Sequence, residues 1–420
     1  MKPSSALEVW LDCDLCPLQQ LGTLSHDRGV VRFSYYQDWL KQPLAFNIDP
    51  TLMLGEGAFY PKSEVGNFGI FLDSSPDRWG QTLMKRREAL QAKDEARPAR
   101  VLHSWDFLQG VQDITRQGAL RFKLQGSPDF LANEALAAPP VTSLAELAQI
   151  ASELTRTDIQ DLKQLRRWLS VLVAPGASLG GARPKANFLE LDGSFWIAKF
   201  PAYQDDRDVG AWEGVARQLA VLAKIEMPEG KVVKLNQRGH HTFCVKRFDR
   251  VQGVRRFYAS AMTLLEKQDN EEGTSSYIEL AEFLANKGDP NFINTDLAQL
   301  FRRVAFNVAI GNRDDHLRNH GFILSPRGWR LAPAFDVNPN IDKDTHALNI
   351  DPVDNRPSLH TVLATAEYYR LKPIESEQIV AEVAEVVDHW PSLAQQMGIA
   401  AADLALVEKA FSAHEEYRKN

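Results

Sequence analysis

Up to about residue 255 the chain interleaves β-prone runs with helical stretches, and beyond about 256 strand signals become scarce while apolar residues recur at helical spacing. This change of period predicts an α+β chain: a mixed sheet-and-helix part, then a mainly helical lobe. Its 420 residues exceed what one core usually serves, so two or three subdomains are expected. We read them as 1–140, 141–255 and 256–420.

In the first segment, LEVWL and VVRFSYY read as short strands broken by polar or Gly-containing residues. FGIFLDSSPDRWGQ then predicts a helix start with Pro76 in its first turn. In the second, TSLAELAQIASELTR (142–156) and DIQDLKQLRRWLSVLVA (158–174) read as helices with a Thr or Asp cap candidate. PGASLGGARPKANFLELDGSFWIAKFP follows as a Gly-rich loop and a hairpin turned at Asp192-Gly193, its second strand ending in Lys199. DVGAWEGVARQLAVLAKI reads as a helix bearing Glu213, and HTFCVKRFDR as a further strand. Three helical runs and a hairpin around Pro326-Arg327-Gly328 fill the third segment.

Hydrophobic residues make up 44% and charged residues 25%, as in ordinary globular proteins. The formal charge of −7 provides no global positive field for nucleic acid. The N-terminal stretch lacks a signal-peptide core, and no run of about 18 apolar residues occurs; a cytoplasmic chain without membrane contact is expected. Three cysteines fit a reducing compartment, and Cys13-x-x-Cys16 lacks the second close pair that a tetrahedral zinc site needs. The tandem His240-His241 reads as a polar pair at a strand edge, and QDNEEG as a solvated loop.

The chemistry concentrates in IGNRDDHLRNH, residues 310–320. Phosphoryl transfer needs a carboxylate near the attacking hydroxyl, oxygen ligands for Mg²⁺ and a cation on the phosphates. Kinases place the base Asp five positions before a metal-binding Asn, with a second metal-binding Asp on a later segment. Here Asp314 and Asn319 stand five apart, and Asp336 follows in LAPAFDV. These are hard oxygen donors of the kind Mg²⁺ selects. D-x-x-x-x-N alone is a weak signal; after a Gly-rich loop, a strand Lys and a helical Glu in kinase order, it predicts a protein-kinase-like bilobal fold.

The motifs SLGGARPK, WIAKFP, KRFDR, IGNRDDHLRN and LAPAFDV, with GTLSHDRGVVRFSYYQDWL and FGIFLDSSPDRWGQ toward the N-terminus, make nearly the whole chain resemble the HipA-type serine/threonine kinases, toxins of bacterial toxin–antitoxin modules. The resemblance implies ATP and Mg²⁺ as cofactors, Asp314 as catalytic base, and Asn319 and Asp336 as metal ligands. It makes Lys199 the lysine for ATP phosphates, with Glu213 orienting it, and puts Lys246, Arg247 and Phe248 at the adenine hinge. Ser178, Gly180, Gly181 and Lys185 match the phosphate loop, and Ser178 matches an autophosphorylated, inhibitory serine. A phosphate there sets like charge against ATP and is expected to eject the loop. His316 is assigned to the phosphates or to bracing the loop, and His320 to structure.

The resemblance further implies a protein substrate, family substrates including aminoacyl-tRNA synthetases, with growth arrest and persistence as the result. It also implies a HipB-like helix-turn-helix antitoxin, through which alone DNA is met. Asn312-Arg313 replaces the His-Arg of ordinary kinases and FDV replaces DFG, as the family shares; the best-known toxins' Gln-rich stretch is missing near QDNEEG. Asp315 is an extra carboxylate, expected either to raise its neighbour's pKa or to face solvent. Two other classes compete: a kinase-fold docking module acting with an antitoxin in transcriptional autoregulation, and a metal-dependent nuclease using the Asp/His cluster. A zinc site on His316 and His320 would lack the Glu of H-E-x-x-H, since Leu317 takes that place. As bland alternatives, Arg183 and Lys185 are read as surface cations.

Overall fold

The computed structural model describes residues 5–62, 66–132, 138–155, 163, 165, 168–169, 183–236, 239–268 and 273–419. The chain forms two compact units, Met1–Gln204 with Asp249–Ala259, and Asp205–Phe248 with Ser260–Asn420.

The first unit opens with three strands, β1 (Ser5–Cys13), β2 (Cys16–Asp27) and β3 (Val30–Tyr35), followed by helix α1 (Arg78–Asp94) and strand β4 (Leu120–Leu124). The strands form one antiparallel sheet in the order β3-β2-β1-β4. Leu7, Val9 and Leu11 alternate onto its buried face, as do Val31, Phe33 and Tyr35, the period-two pattern of a half-covered sheet. β2 runs unbroken for 12 residues where the sequence suggested interruption. Gly22 in its middle is required by space, because a Cβ there would lie 2.3 Å from the Ser34 carbonyl oxygen. Cys13 and Cys16 face each other where β1 turns into β2, their Sγ atoms 4.0 Å apart. Burial pushes the Cys13 thiol up to about 12, which leaves it neutral and inert.

Phe71 joins the sheet to the following chain, its ring 5.7 Å from Phe33 and 5.9 Å from Phe122. α1 begins later than the sequence suggested: Asp77 is its cap, with Oδ1 accepting the Gly80 N–H at 2.7 Å, and Pro76 lies just outside the helix. The fully buried Arg116 donates to the carbonyls of Ser74, Leu108 and Val111 at 2.8–3.0 Å. The returning segment 249–259 completes this core. Asp249 Oδ2 accepts the Gly118 N–H at 2.8 Å and pairs with Arg250 at 2.8 Å, while Arg255 donates to the Asp113 carbonyl at 2.6 Å. The Asp-Arg of KRFDR is therefore a clamp on the N-terminal sheet.

Helix α2 (Leu144–Leu154) follows, preceded by a 3-10 turn holding Thr142, and no side chain caps it. The second helix expected there, 158–174, lies almost wholly outside the described residues. β5 (Lys185–Leu189) and β6 (Phe195–Lys199) pair as the expected hairpin, turned through Gly193 at φ 79° with Asp192 Oδ1 accepting the Ser194 N–H at 2.9 Å.

The second unit contains helix α3 (Val209–Leu222), capped by Asp208, and the hairpin β7 (Gly230–Val233) and β8 (Thr242–Lys246). Asp208 Oδ2 also takes His241 Nδ1 at 2.5 Å, so His241 is a structural partner of the helix cap. α4 (Tyr277–Lys287) opens with a Ser276/Glu279 capping box. α5 (Ile293–Ala309) buries Leu297, Leu300, Phe301, Val304, Ala305 and Val308, and so runs through the core rather than along the surface. The hairpin β9 (Gly321–Ser325) and β10 (Gly328–Leu331) and helix α6 (Pro373–Val387) pack in the same unit. Among the described residues no helix is long and apolar enough to cross a membrane.

Candidate active site

Residues 310–320 leave the C-terminus of α5 through Gly311, whose φ is +64°. Only glycine takes that left-handed turn without strain. Space demands it too, since a Cβ would lie 2.2 Å from the Ala410 carbonyl oxygen. The Asn312 N–H closes the turn on the Asn307 carbonyl at 2.8 Å, and the Asn312 Nδ2 donates to Asn307 Oδ1 at 3.1 Å.

Beneath the loop lies Asp315, 2% exposed. Its Oδ2 accepts from Tyr277 Oη at 2.6 Å and Asn307 Nδ2 at 2.7 Å, and meets His320 Nε2 at 2.8 Å. Burial alone would raise its pKa, but His320 and the Tyr277 hydroxyl hold it below the ordinary carboxylate value. Burial, and then the same carboxylate, drive the Tyr277 hydroxyl well above its usual pKa. Asp315 thus does not face solvent: it is the anchor of the loop. His320, engaged with Asp315, is structural as expected.

The upper side of the loop differs. The Asp314 side chain is 55% exposed and meets Lys343 Nζ at 2.7 Å. A 3-10 turn, Leu317–Asn319, follows His316, and the Asn319 N–H donates to the His316 carbonyl at 2.8 Å. Asn319 Nδ2 donates back to the Asp314 carbonyl at 3.3 Å, which orients the amide. Its Oδ1 is buried and has no hydrogen-bond partner. Leaving a buried acceptor unsatisfied costs about 1–3 kcal/mol, so such an atom calls for a reason. A hard, oriented oxygen of this kind fits a Mg²⁺ ligand. His316 Nδ1 is likewise buried and without a hydrogen-bond partner. Among the described residues no three His, Cys, Asp or Glu side chains could share an ion, a pattern that an Asn and Asp pair falls outside.

Asp336 adopts φ 58°, a left-handed conformation in which a non-glycine residue needs tertiary support. Its neighbour Phe335 packs on Phe248 with ring centroids 5.4 Å apart, bringing the expected hinge residue against the segment of the second expected metal Asp. Arg247 is buried, and Lys246 ends β8 with Nζ 2.8 Å from Glu229 Oε1. Glu213 lies on α3 and is buried.

In the first unit Lys185 and Lys199 stand directly opposite in the β5–β6 register. Like charges across a strand pair repel. Lys185 is 3% exposed and its Nζ meets Asp77 Oδ2 at 3.0 Å, so it is no surface cation, and Asp77 serves both α1 and this lysine. Ser178, Gly180 and Gly181 lie outside the described residues. Sequence reasoning missed Asp77 as a partner, the Asp315 cluster and Lys343. Only the capping signature Ser-Pro-Asp carried a readable hint, and that for Asp77 alone.

The family model for the HipA-like C-terminal domain matches residues 177–390. The protein called "Putative kinase Y4dM" in Sinorhizobium fredii is 27% identical over 217 residues, 47% of this chain and 51% of its own length. A "Putative kinase" of Haemophilus influenzae is 25% identical over 182 residues, 38% of this chain and 52% of its own. The chain thus spans about half the length of the curated relatives it matches. Among solved structures, HipA of the Shewanella oneidensis toxin–antitoxin system, in complex with HipB and operator DNA, aligns over 97% of this chain and 95% of its own with a TM-score of 0.68 at 18% identity. At that identity the match establishes a shared protein-kinase-like α+β fold. With its family model spanning just over half of the sequence and its fold that of HipA, the chain belongs to the HipA-like C-terminal domain family.

Proposed function

We propose that the protein is an ATP-dependent serine/threonine kinase. The observation that carries this reading is the buried Asn319 Oδ1 without a hydrogen-bond partner, oriented five positions after the exposed Asp314. Asp314 receives the proton of a substrate hydroxyl as that oxygen bonds to the γ-phosphorus; the bond from the γ-phosphorus to the bridging oxygen breaks and ADP leaves with the electron pair. Asn319 and Asp336 hold Mg²⁺, which when bound offsets charge on the phosphate oxygens. Lys199 is assigned to the ATP phosphates, Lys246 to Phe248 to the adenine, and His316 to bracing the phosphate end of the site. Lys185, tied to Asp77, anchors the start of β5 rather than reaching outward.

Self-transfer to Ser178 is part of the proposal, as is a small helix-turn-helix antitoxin like the HipB bound to HipA in the Shewanella complex. DNA is then reached through that partner, which the net charge of −7 favours over independent binding. The physiological substrate is a protein hydroxyl, with aminoacyl-tRNA synthetases the first class to assay and growth arrest the cellular outcome.

Intact-mass analysis after incubation with ATP and Mg²⁺ tests this reading, with Asp314→Ala and Asp336→Ala alongside. One added phosphate in the wild type, absent from both variants, is the expected result. A wild-type protein that binds ATP yet phosphorylates neither itself nor any protein in a cell lysate contradicts it.

A further inference from the structure

Residues 340–347 are tied to the 310–320 loop along their backbone. The Asn340 N–H donates to the Gly311 carbonyl at 2.9 Å, the Ala347 N–H donates to the Arg313 carbonyl at 3.0 Å, and Arg313 Nη1 donates to the Lys343 carbonyl at 2.9 Å. Asn340 Oδ1 accepts from the N–H groups of Asp342 and Lys343, both at 3.0 Å, and turns the chain so that Lys343 rises beside the loop. The lysine is thus delivered by a fixed backbone. Its ion pair with Asp314 is half-exposed and adds little stability. Yet its ammonium stands 2.7 Å from Asp314 Oδ1, beside the carboxylate read above as the base.

We infer that Lys343 is a catalytic cation of this site, meeting the γ-phosphate beside Asp314; the inference rests on the kinase reading. The transferring phosphoryl group spreads charge over three equatorial oxygens, and a cation already in place stabilises that charge without reorganisation. The proton path is unchanged: it passes from the substrate hydroxyl to Asp314, and Lys343 keeps its proton throughout. Arg313 is turned inward to the Lys343 and Lys409 carbonyls and does not serve.

The test measures single-turnover phosphate uptake by intact mass at saturating ATP and Mg²⁺ for wild type, Lys343→Met and Lys343→Arg, with ATP affinity by calorimetry and thermal melting on the same samples. Lys343→Met is expected to slow transfer about 100- to 1,000-fold, with ATP affinity within about 2-fold and an unchanged melting temperature. Lys343→Arg is expected to recover most of the rate, because it keeps the charge. Wild-type transfer by Lys343→Met overturns the inference, as does a rate loss matched by lost ATP affinity or by a lowered melting temperature that Arg does not restore. No transfer by the wild type, either to itself or to any protein of a cell lysate, overturns the kinase reading itself, and this inference with it.

Discussion

Asp315 is 2% exposed and collects three hydrogen-bond partners on one oxygen, whereas the Asp314 side chain, one residue earlier, is 55% exposed and meets a lysine at the rim. The lower side of the loop is a sealed polar floor: desolvating a carboxylate is costly, and the donors from Tyr277, Asn307 and His320 offset it. The upper side keeps a half-exposed carboxylate at Asp314, paired with Lys343, and a buried Asn319 Oδ1 without a hydrogen-bond partner. Adjacent residues of the same type thus serve fold and chemistry separately. The rigidity of the one gives the other a fixed position.

The comparison breaks most sharply at Asp315. Replacing it with Ala strands three buried partners and is expected to cost about 3–5 kcal/mol in urea unfolding; a loss below about 1 kcal/mol would dissolve the distinction between the two sides. The floor should also resist charge from His346, which is 1% exposed and whose pKa burial pushes down to about 4. The folded protein leaves this ring neutral down to about pH 4, while the unfolded chain takes the proton from about 6.5. Stability should therefore fall as pH drops from about 6.5 to about 4 and level off below, by up to about 3 kcal/mol. His346→Leu should flatten that slope.

Gly311→Ala is next, at about 2 kcal/mol or more, because it combines a left-handed φ with a Cβ 2.2 Å from the Ala410 carbonyl. Differential scanning calorimetry should register it as a clear drop in Tm. At the small end, Asp314→Ala should change unfolding free energy by no more than about 1 kcal/mol, since its ion pair is half-exposed, while phosphate uptake disappears. A large stability loss there would mean that the upper side is structural as well.

Much of this was readable in advance where local chemistry decides. Asp192-Gly193 specified the hairpin turn between β5 and β6. What escaped depends on contacts between distant segments. β2 shows poor alternation because its place between β1 and β3, not its own sequence, makes it a strand. A second Asp in a polar loop reads as solvated until Tyr277, 38 residues away, is brought beneath it. Lys185 reads as a loop cation until Asp77 is known to lie 3.0 Å away, and Lys343 carries no local mark at all.

The central claim is that Asn319 Oδ1 is held for a metal ion. Thermal shifts of wild type and Asn319→Ala, with ATP alone and with ATP plus Mg²⁺, test it most directly. The account predicts that Mg²⁺ adds stabilisation beyond ATP in the wild type, and that Asn319→Ala loses this increment while its ligand-free melting temperature and its response to ATP alone remain. An undiminished Mg²⁺ increment in Asn319→Ala would contradict it.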